Sequence, residues 1–451
     1  MLNHLNWKRL IALLVIVLAV TPMLVQAQEQ VTLRIIGLRV SPEEEGRPLD
    51  LARKELIASF EEANPDIKID ALEAPPEFDT VLLTDLAAGT APDVWYQDAS
   101  TLDRLVDTGY LLDINTCLPL VPELTLDRFA PTFLGIHQRE DGSIWGLPDG
   151  GTPMVIYYNP ESFERAGVEL PTSDWTWDEF LDVARRLTLD SEGRNSLDPD
   201  FDKENVVQYG FRVRKWLFEW IYWVWQNGSD VISPDGSTVS GYLDSPETIE
   251  AIKFLRDMVL EYGVSPDPVT LGEMIQETGF LTVFLRGEVA MFPRGHWELT
   301  GIFANPEYTP ARLGIVGNPS NKVDATVLYE SGWMINKAVE SDPAKLLAAC
   351  KFVEAATDAV PYQNSKVISG LELSANAESA AAAPAASEYP EITQAFVNEI
   401  ANGRLPYGAR YSNWPTVEGA IDLMMENILA GGDVEEEVAI AVEEINRELS
   451  R

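Results

Sequence analysis

The chain reads as an α/β protein with a largely parallel sheet, and three observations carry that reading. Short β-branched runs alternate with amphipathic helical stretches. The length of 451 residues leaves room for two or three domains with large cores. A composition of 46% hydrophobic and 23% charged residues is that of an ordinary globular chain. Together these exclude wholesale disorder, collagen and a multi-span membrane protein.

Element by element, Val31 to Ile36 alternates like a strand. Leu51 to Ala63 is an amphipathic helix ended by Asn64-Pro65-Asp66, and Ile67 to Ile69 is a second strand. Phe78 to Ala88 is a helix stopped by Gly89, and Asp93 to Gln97 is a third strand. Met154 to Tyr158 is a strand of the middle region. Thr176-Trp177-Asp178-Glu179 is a capping box that starts a helix running to Leu187. Asp190 to Glu204 is polar and reads as a loop. The aromatic stretch 216–225 reads as one helix. Ser245-Pro246 opens another, with Gly263 as its expected C-cap. Pro343 to Ala356 is helical. Ser374 to Ser387 is low in complexity and reads as an exposed loop or a frayed helix. Asp433 to Leu449 closes the chain as a helix, and its acidic first turn suits the helix dipole.

The charge is unusual. Asp and Glu number 72 against 33 Lys and Arg, a formal net charge of −39. Such a surface repels phosphate backbones, so nucleic acid is excluded as a partner. Lys8 and Arg9, the apolar run Leu10 to Val20, and Val25-Gln26-Ala27 form the secretory signal pattern, with cleavage expected after Ala27. An uncleaved membrane tether is the alternative. The protein is therefore expected outside the cytoplasmic membrane, periplasmic or at the cell surface. An oxidising compartment permits a Cys117–Cys350 bridge. Cys350, however, sits in a helical pattern beside Leu346, Leu347, Phe352 and Val353, and reads better as a small buried apolar residue.

Several chemistries are absent. His4 leaves with the signal, and His137 and His296 have no partners at metal-ligand spacing. There is no nucleophile elbow, P-loop or dinucleotide fingerprint. No cofactor, metal or catalytic residue is expected. Tryptophan, by contrast, is abundant. Most of it suits core packing, but Trp95, Trp297 and Trp414 lie near turns or element ends. Aromatic rings there can cover the C–H face of a sugar while amides and carboxylates bond its hydroxyls.

Ordered motifs then point to a family. Phe60-Glu61-Glu62-Ala63-Asn64-Pro65-Asp66-Ile67-Lys68 is followed by Ala88-Gly89-Thr90-Ala91-Pro92-Asp93-Val94 and Gly109-Tyr110-Leu111-Leu112-Asp113. Next come Asp141-Gly142-Ser143-Ile144-Trp145-Gly146-Leu147-Pro148, Tyr157-Tyr158-Asn159 and Thr176 to Phe180. Gly287-Glu288-Val289-Ala290-Met291-Phe292 with Gly295-His296-Trp297 completes the series. Over nearly the whole mature chain, in order, this resembles the family 1 extracellular solute-binding proteins of ABC importers, the group of maltose-binding protein.

The resemblance implies a two-lobe periplasmic-binding-protein fold of the type II kind, with a ligand cleft between the lobes. The boundaries it suggests are a signal at 1–27, first lobe at 28–150, second lobe at 151–330, first-lobe return at 331–385 and second-lobe return at 386–451. Crossings are expected near Gly150–Val155, Leu328–Trp333 and Ala380–Tyr389. It implies a monomer that binds a neutral carbohydrate and hands it to ABC permease subunits without breaking a bond. By position, Trp297 and Trp414 are its sugar-stacking aromatics. Trp95, Tyr96, Gln97 and Asp98, with Glu77 and Phe78, are its first-lobe contacts. Phe218 and Trp220 are candidates for the second-lobe wall, with core packing as the alternative. Arg294 either forks onto a ligand or serves a structural ion pair. The stretch Arg39 to Asp50 departs from the family pattern. A polyamine is the alternative ligand, and a secreted polysaccharide-active enzyme the alternative class. Iron held by Tyr157 and Tyr158 is a more remote one.

Overall fold

The computed structural model describes residues 30–40, 45–276, 278–358, 360–368, 370–404, 407, 411 and 414–450. The expected signal, residues 41–44 of the divergent stretch, and Ser412-Asn413 lie outside the described residues.

Twelve strands are described: β1 Val31–Ile36, β2 Ile67–Leu72, β3 Val94–Asp98, β4 Leu147–Pro153, β5 Val155–Tyr158, β6 Leu189–Asp190, β7 Val206–Gln208, β8 Met291–Arg294, β9 Gly314–Val316, β10 Thr326–Ile335, β11 Leu373–Ser374 and β12 Gly403–Arg404. The large sheet runs β11-β4-β10-β3-β1-β2, with β12 also on β10. β1 pairs in parallel with β2 and β3, but β10 runs antiparallel to both β3 and β4. The sheet is thus mixed rather than largely parallel. The helical crossovers impose parallel pairing only on the first three strands. β4 and β10 carry the chain out of this sheet and back, so they run in opposite directions. The second sheet, β8-β5-β9, is antiparallel throughout.

Side-chain alternation covers the large sheet on both faces. Leu33, Ile35, Val94, Trp333 and Ile335 face a core containing Phe60 and Phe352. Their neighbours Ile36, Trp95 and Met334 face the other way, onto Leu82, Leu86 and Leu102. Helix Phe78–Ala88 lies over that second face and ends where Gly89 adopts φ +72°. Cys117 and Cys350 form a disulfide across the first core, with Cα atoms 5.3 Å apart. The expectation for Cys350 is corrected. Its helix, Pro343–Asp358, packs it fully inside, but beside the short turn Ile114–Thr116 that delivers Cys117.

The second core is rich in rings. Trp175, Trp177, Phe180, Phe211, Trp220, Trp223, Trp225 and Trp414 share it with helices Pro246–Leu260, Trp414–Leu429 and Val434–Leu449. The capping box at Thr176 and Glu179 is formed reciprocally. The 216–225 stretch is not one helix. A single turn, Leu217–Glu219, breaks at Trp220 (φ −136°) before helix Ile221–Gln226. Helix Pro246–Leu260 ends before Gly263, with Glu261 at its C-cap position. The low-complexity stretch holds a helix, Ala377–Ala386, because Asn376 accepts from the Glu378 and Ser379 amides at its start.

Only Met154 separates β4 from β5, which belong to different sheets, and its amide donates to Val327 O at 2.8 Å. On β10, Val327 contributes to the second core and Leu328 to the first. Gly150 and Gly151 stand where these strands are tightest. A Cβ at Gly150 would lie 2.4 Å from Leu373 O, and one at Gly151 2.4 Å from Tyr329 O.

Candidate functional site

The residues that converge do so around Tyr329, just past the crossing on β10. Its ring centroid is 5.0 Å from Phe218, 5.1 Å from Trp297 and 6.0 Å from Trp216. Trp297 stands at the start of helix Glu298–Ala304, after the glycine turn that ends β8. Trp216 and Phe218 come from the broken start of the aromatic stretch. A regular helix through Trp220 would give these rings different directions.

Arg294, at the end of β8, threads this group. Its guanidinium lies 5.1 Å over the Trp216 ring and 5.9 Å over Trp297. It donates to Glu219 at 2.8 Å through Nη1 and to Glu298 at 2.5 Å through Nε. Arg294 is thus an ion-pair residue, as one of its two readings had it, and its guanidinium also lies among these rings. Glu219 is buried and also accepts from Arg212 at 2.7 Å. Burial lowers Arg212 to about 10. A buried, multiply bonded carboxylate of this kind fixes the position of the cations around it.

From the first lobe, Asp98 faces the same space. Burial first, and its charge to a lesser degree, raise the titration of Tyr329 and of Glu418, a residue of helix Trp414–Leu429. Asp98 itself is pushed up by burial and by the Asp79 charge, while its bonds from Ser100 oppose this. Glu418 is raised to about 7, by burial and then by Asp422. Burial thus favours its protonated form more than at an exposed glutamate.

Other expected contacts lie elsewhere. Trp95 is wholly buried, and its indole N–H donates to Gln97 Oε1 at 2.8 Å. It sits on the β3 face turned to helix Phe78–Ala88, so it is core rather than platform. Gln97 shares that face and spends its amide on Asp79 (2.6 Å) and Thr101 (2.7 Å). Phe78 packs on the same cluster. Glu77 is exposed at φ 53° and leads that helix. Tyr96 shares the Asp98 face but donates its hydroxyl to Glu372 at 2.5 Å, beside Lys366 and Asp149. Trp220 is buried and donates to Lys215 O at 2.9 Å. Trp414 is buried and stacks on Tyr407, ring centroids 4.3 Å apart. Both pack in the second core, the alternative already given for Trp220. The Tyr157 hydroxyl donates to Gly295 O at 2.8 Å, which leaves no converging tyrosine pair for iron.

Trp216, Tyr329, Glu219 and Glu418 escaped the sequence reading. Tyr329 was discoverable as one of the two rings, with Trp333, in the expected crossing 328–333. Glu418 lies one helical turn past Trp414. Trp216 differs from its neighbours only through the break at Trp220.

Two sheets joined by short crossings, with side chains from both meeting between them, define a two-lobe binding protein. The family model described as bacterial extracellular solute-binding protein matches residues 47–361, and the chain belongs to that family. An ABC substrate-binding protein of Listeria monocytogenes, solved with cycloalternan, superposes with a TM-score of 0.75. It is 22% identical and covers 93% of this chain and 99% of its own. An arabinooligosaccharide-binding protein of Halalkalibacterium halodurans is 25% identical over 49% of this chain and 45% of its own length. A putative binding protein of Brucella abortus is 28% identical over 46% of each. The matches to these two curated relatives thus span about half of their length. The matched family and these neighbours are binding proteins rather than enzymes. Among the described residues no helix is long and apolar enough to cross a membrane.

Proposed function

We propose that the chain is the monomeric extracytoplasmic binding subunit of an ABC importer. In this reading it takes up a neutral oligosaccharide between its lobes and presents the closed form to the permease subunits. The ring group of Trp216, Phe218, Trp297 and Tyr329 carries the proposal. The half-buried rings of Trp216, Trp297 and Tyr329, backed by the buried Phe218, lie beside Asp98, Glu418 and an anchored Arg294 and offer apolar faces and hydroxyl partners together, which is what a sugar requires. Family membership supports the import role, and the arabinooligosaccharide and cycloalternan binders support the ligand class. A ligand that touches both lobes stabilises the closed arrangement through its differential affinity for it.

Asp98 and Glu418 also favour a second reading, a polyamine held by carboxylates and rings. Titration calorimetry with neutral saccharides and with spermidine separates the two. The expected result is saccharide binding that weakens by about 10- to 100-fold in Trp297→Ala, with little change in melting temperature of the free protein. Heat released only with spermidine would replace the carbohydrate reading by the second one.

A further inference from the structure

Two acids reach Tyr329 from opposite halves of the molecule. Asp98 is the last residue of β3 and pairs in register with Ser331 of β10. It therefore shares a strand face with Ser331 and Tyr329 and is a diagonal neighbour of the tyrosine. Glu418 lies on helix Trp414–Leu429, one turn before Asp422. Asp422 accepts from the Leu217 amide at 3.2 Å, which ties this helix to the turn bearing Phe218. The Phe218 ring is 5.0 Å from Tyr329. Asp98 thus comes from the sheet of the first lobe, Glu418 from the core of the second, and both are half-buried.

Elsewhere the fold meets its sequestered acids with cations. Lys366 lies 2.6 Å from Asp149, Arg212 2.7 Å from Glu219 and Arg194 2.7 Å from Asp190. Among the described residues no cation acts on Asp98 or on Glu418. Their charged neighbours have the same sign. Asp79 faces Asp98 from helix Phe78–Ala88, and Glu330 and Tyr329 feel Asp98 from β10. Asp422 faces Glu418 from its own helix. The nearest cations are spent on other acids, Lys215 on Glu426, and Arg214 and Arg294 on Glu219. Burial, and then Asp422 and Asp98, hold Glu418 at about 7. Two half-buried carboxylates that approach without a cation between them are tolerated only when one is protonated. A neutral saccharide that expels water from between them increases that demand.

We propose that Asp98 and Glu418 form a proton-operated latch between the lobes. As the lobes close on a saccharide, one proton from solvent adds to a carboxylate oxygen of the pair, which passes from two negative charges to one. The latch rests on the lobe closure of the reading above and makes uptake strongest in acidic surroundings. The closed state holds the proton more tightly than the open state. Affinity is therefore highest below the titration of the open state and is lost as pH rises through about 7.

Calorimetry on the full chain, with linear α-1,4-gluco-, β-1,4-manno- and α-1,5-arabino-oligosaccharides as probes, tests it at pH 6 and pH 8. A saccharide that binds is expected to bind about tenfold more weakly at pH 8 than at pH 6. Heats in two buffers of different ionisation enthalpy should report net proton uptake at pH 7. Glu418→Gln and, separately, Asp98→Asn flatten the dependence, whereas Glu330→Gln keeps it. Affinity that is independent of pH, that rises with pH, or whose fall survives both changes overturns the latch and leaves lobe closure standing. If none of the probes binds, the carbohydrate reading falls, and X-ray scattering of the free protein decides the latch separately. A radius of gyration that contracts from pH 8 to pH 6 in the wild type but not in Glu418→Gln supports it. A radius that does not change with pH overturns it.

Discussion

The two lobes hold themselves together by different means. The first closes its core with the Cys117–Cys350 disulfide and keeps a buried ionic group at its edge, where Lys366 meets Asp149 at 2.6 Å and Glu372 at 3.0 Å. The second core relies on interlocked rings. Trp223 alone contacts Trp177, Phe180, Phe211, Tyr222 and Phe254. The contrast teaches how to sort tryptophans in such a protein. Where rings also build the core, abundance does not mark ligand platforms. Only rings at the edge of the core, such as Trp216 and Trp297, are placed to do both jobs.

Three experiments sharpen or break this contrast. The largest effect is expected from Trp223→Ala, which empties the centre of the aromatic core and costs about 3–5 kcal/mol. Urea unfolding followed by tryptophan fluorescence should show the second-lobe transition displaced. If all probes shift together, the lobes unfold as one unit and the contrast is one of construction only. Next, Cys117→Ser with Cys350→Ser opens a link between residues 233 apart in sequence. The expected loss is about 2–5 kcal/mol, concentrated in the first lobe. No change in the unfolding midpoint would show that packing alone holds that core.

The third effect belongs to the boundary between the lobes. Glu330 of β10 is buried against His137, Oε2 to Nε2 at 2.8 Å. Burial raises its carboxyl from 4.5 to about 7, against the opposing pull of His137. The fold therefore favours the protonated acid. That contribution is fully present below 4.5 and lost as pH rises through about 7. Glu330→Gln, neutral at every pH and still able to bond His137, should be more stable than wild type near pH 8 by up to about 3 kcal/mol. The difference should shrink towards zero near pH 5. A difference that does not vary with pH in thermal melts would refute the titration.

Much of this architecture was legible beforehand because local rules decided it. β1, helix Phe78–Ala88 with its glycine stop, and the Thr176 capping box follow from patterning and end signals alone. The site was less legible, for a reason visible in β3. Trp95 and Asp98 are three residues apart in one motif, yet alternation sends them to opposite faces, one into the core and one into the cleft. Which face is which depends on β10, more than 200 residues later, and no local pattern contains that. The aromatic stretch has the same problem. Its break at Trp220 separates Trp216, at the edge of the core, and the buried Phe218 beside it from the central ring Trp223, and tertiary packing decides the break. The disulfide needed the same long-range knowledge.

The crossing strand has a mechanical consequence. Met154 and Val327 are bonded side by side where the chain leaves the first sheet by β4 and returns to it by β10. Two residues beyond, Tyr329 is still held in register with Thr152 of β4. In the closure proposed above, turning about that pair would keep Tyr329 in register with β4 while Trp216, Phe218 and Trp297 move past it. Tyr329 is then the doorpost and the three rings are the edge of the door.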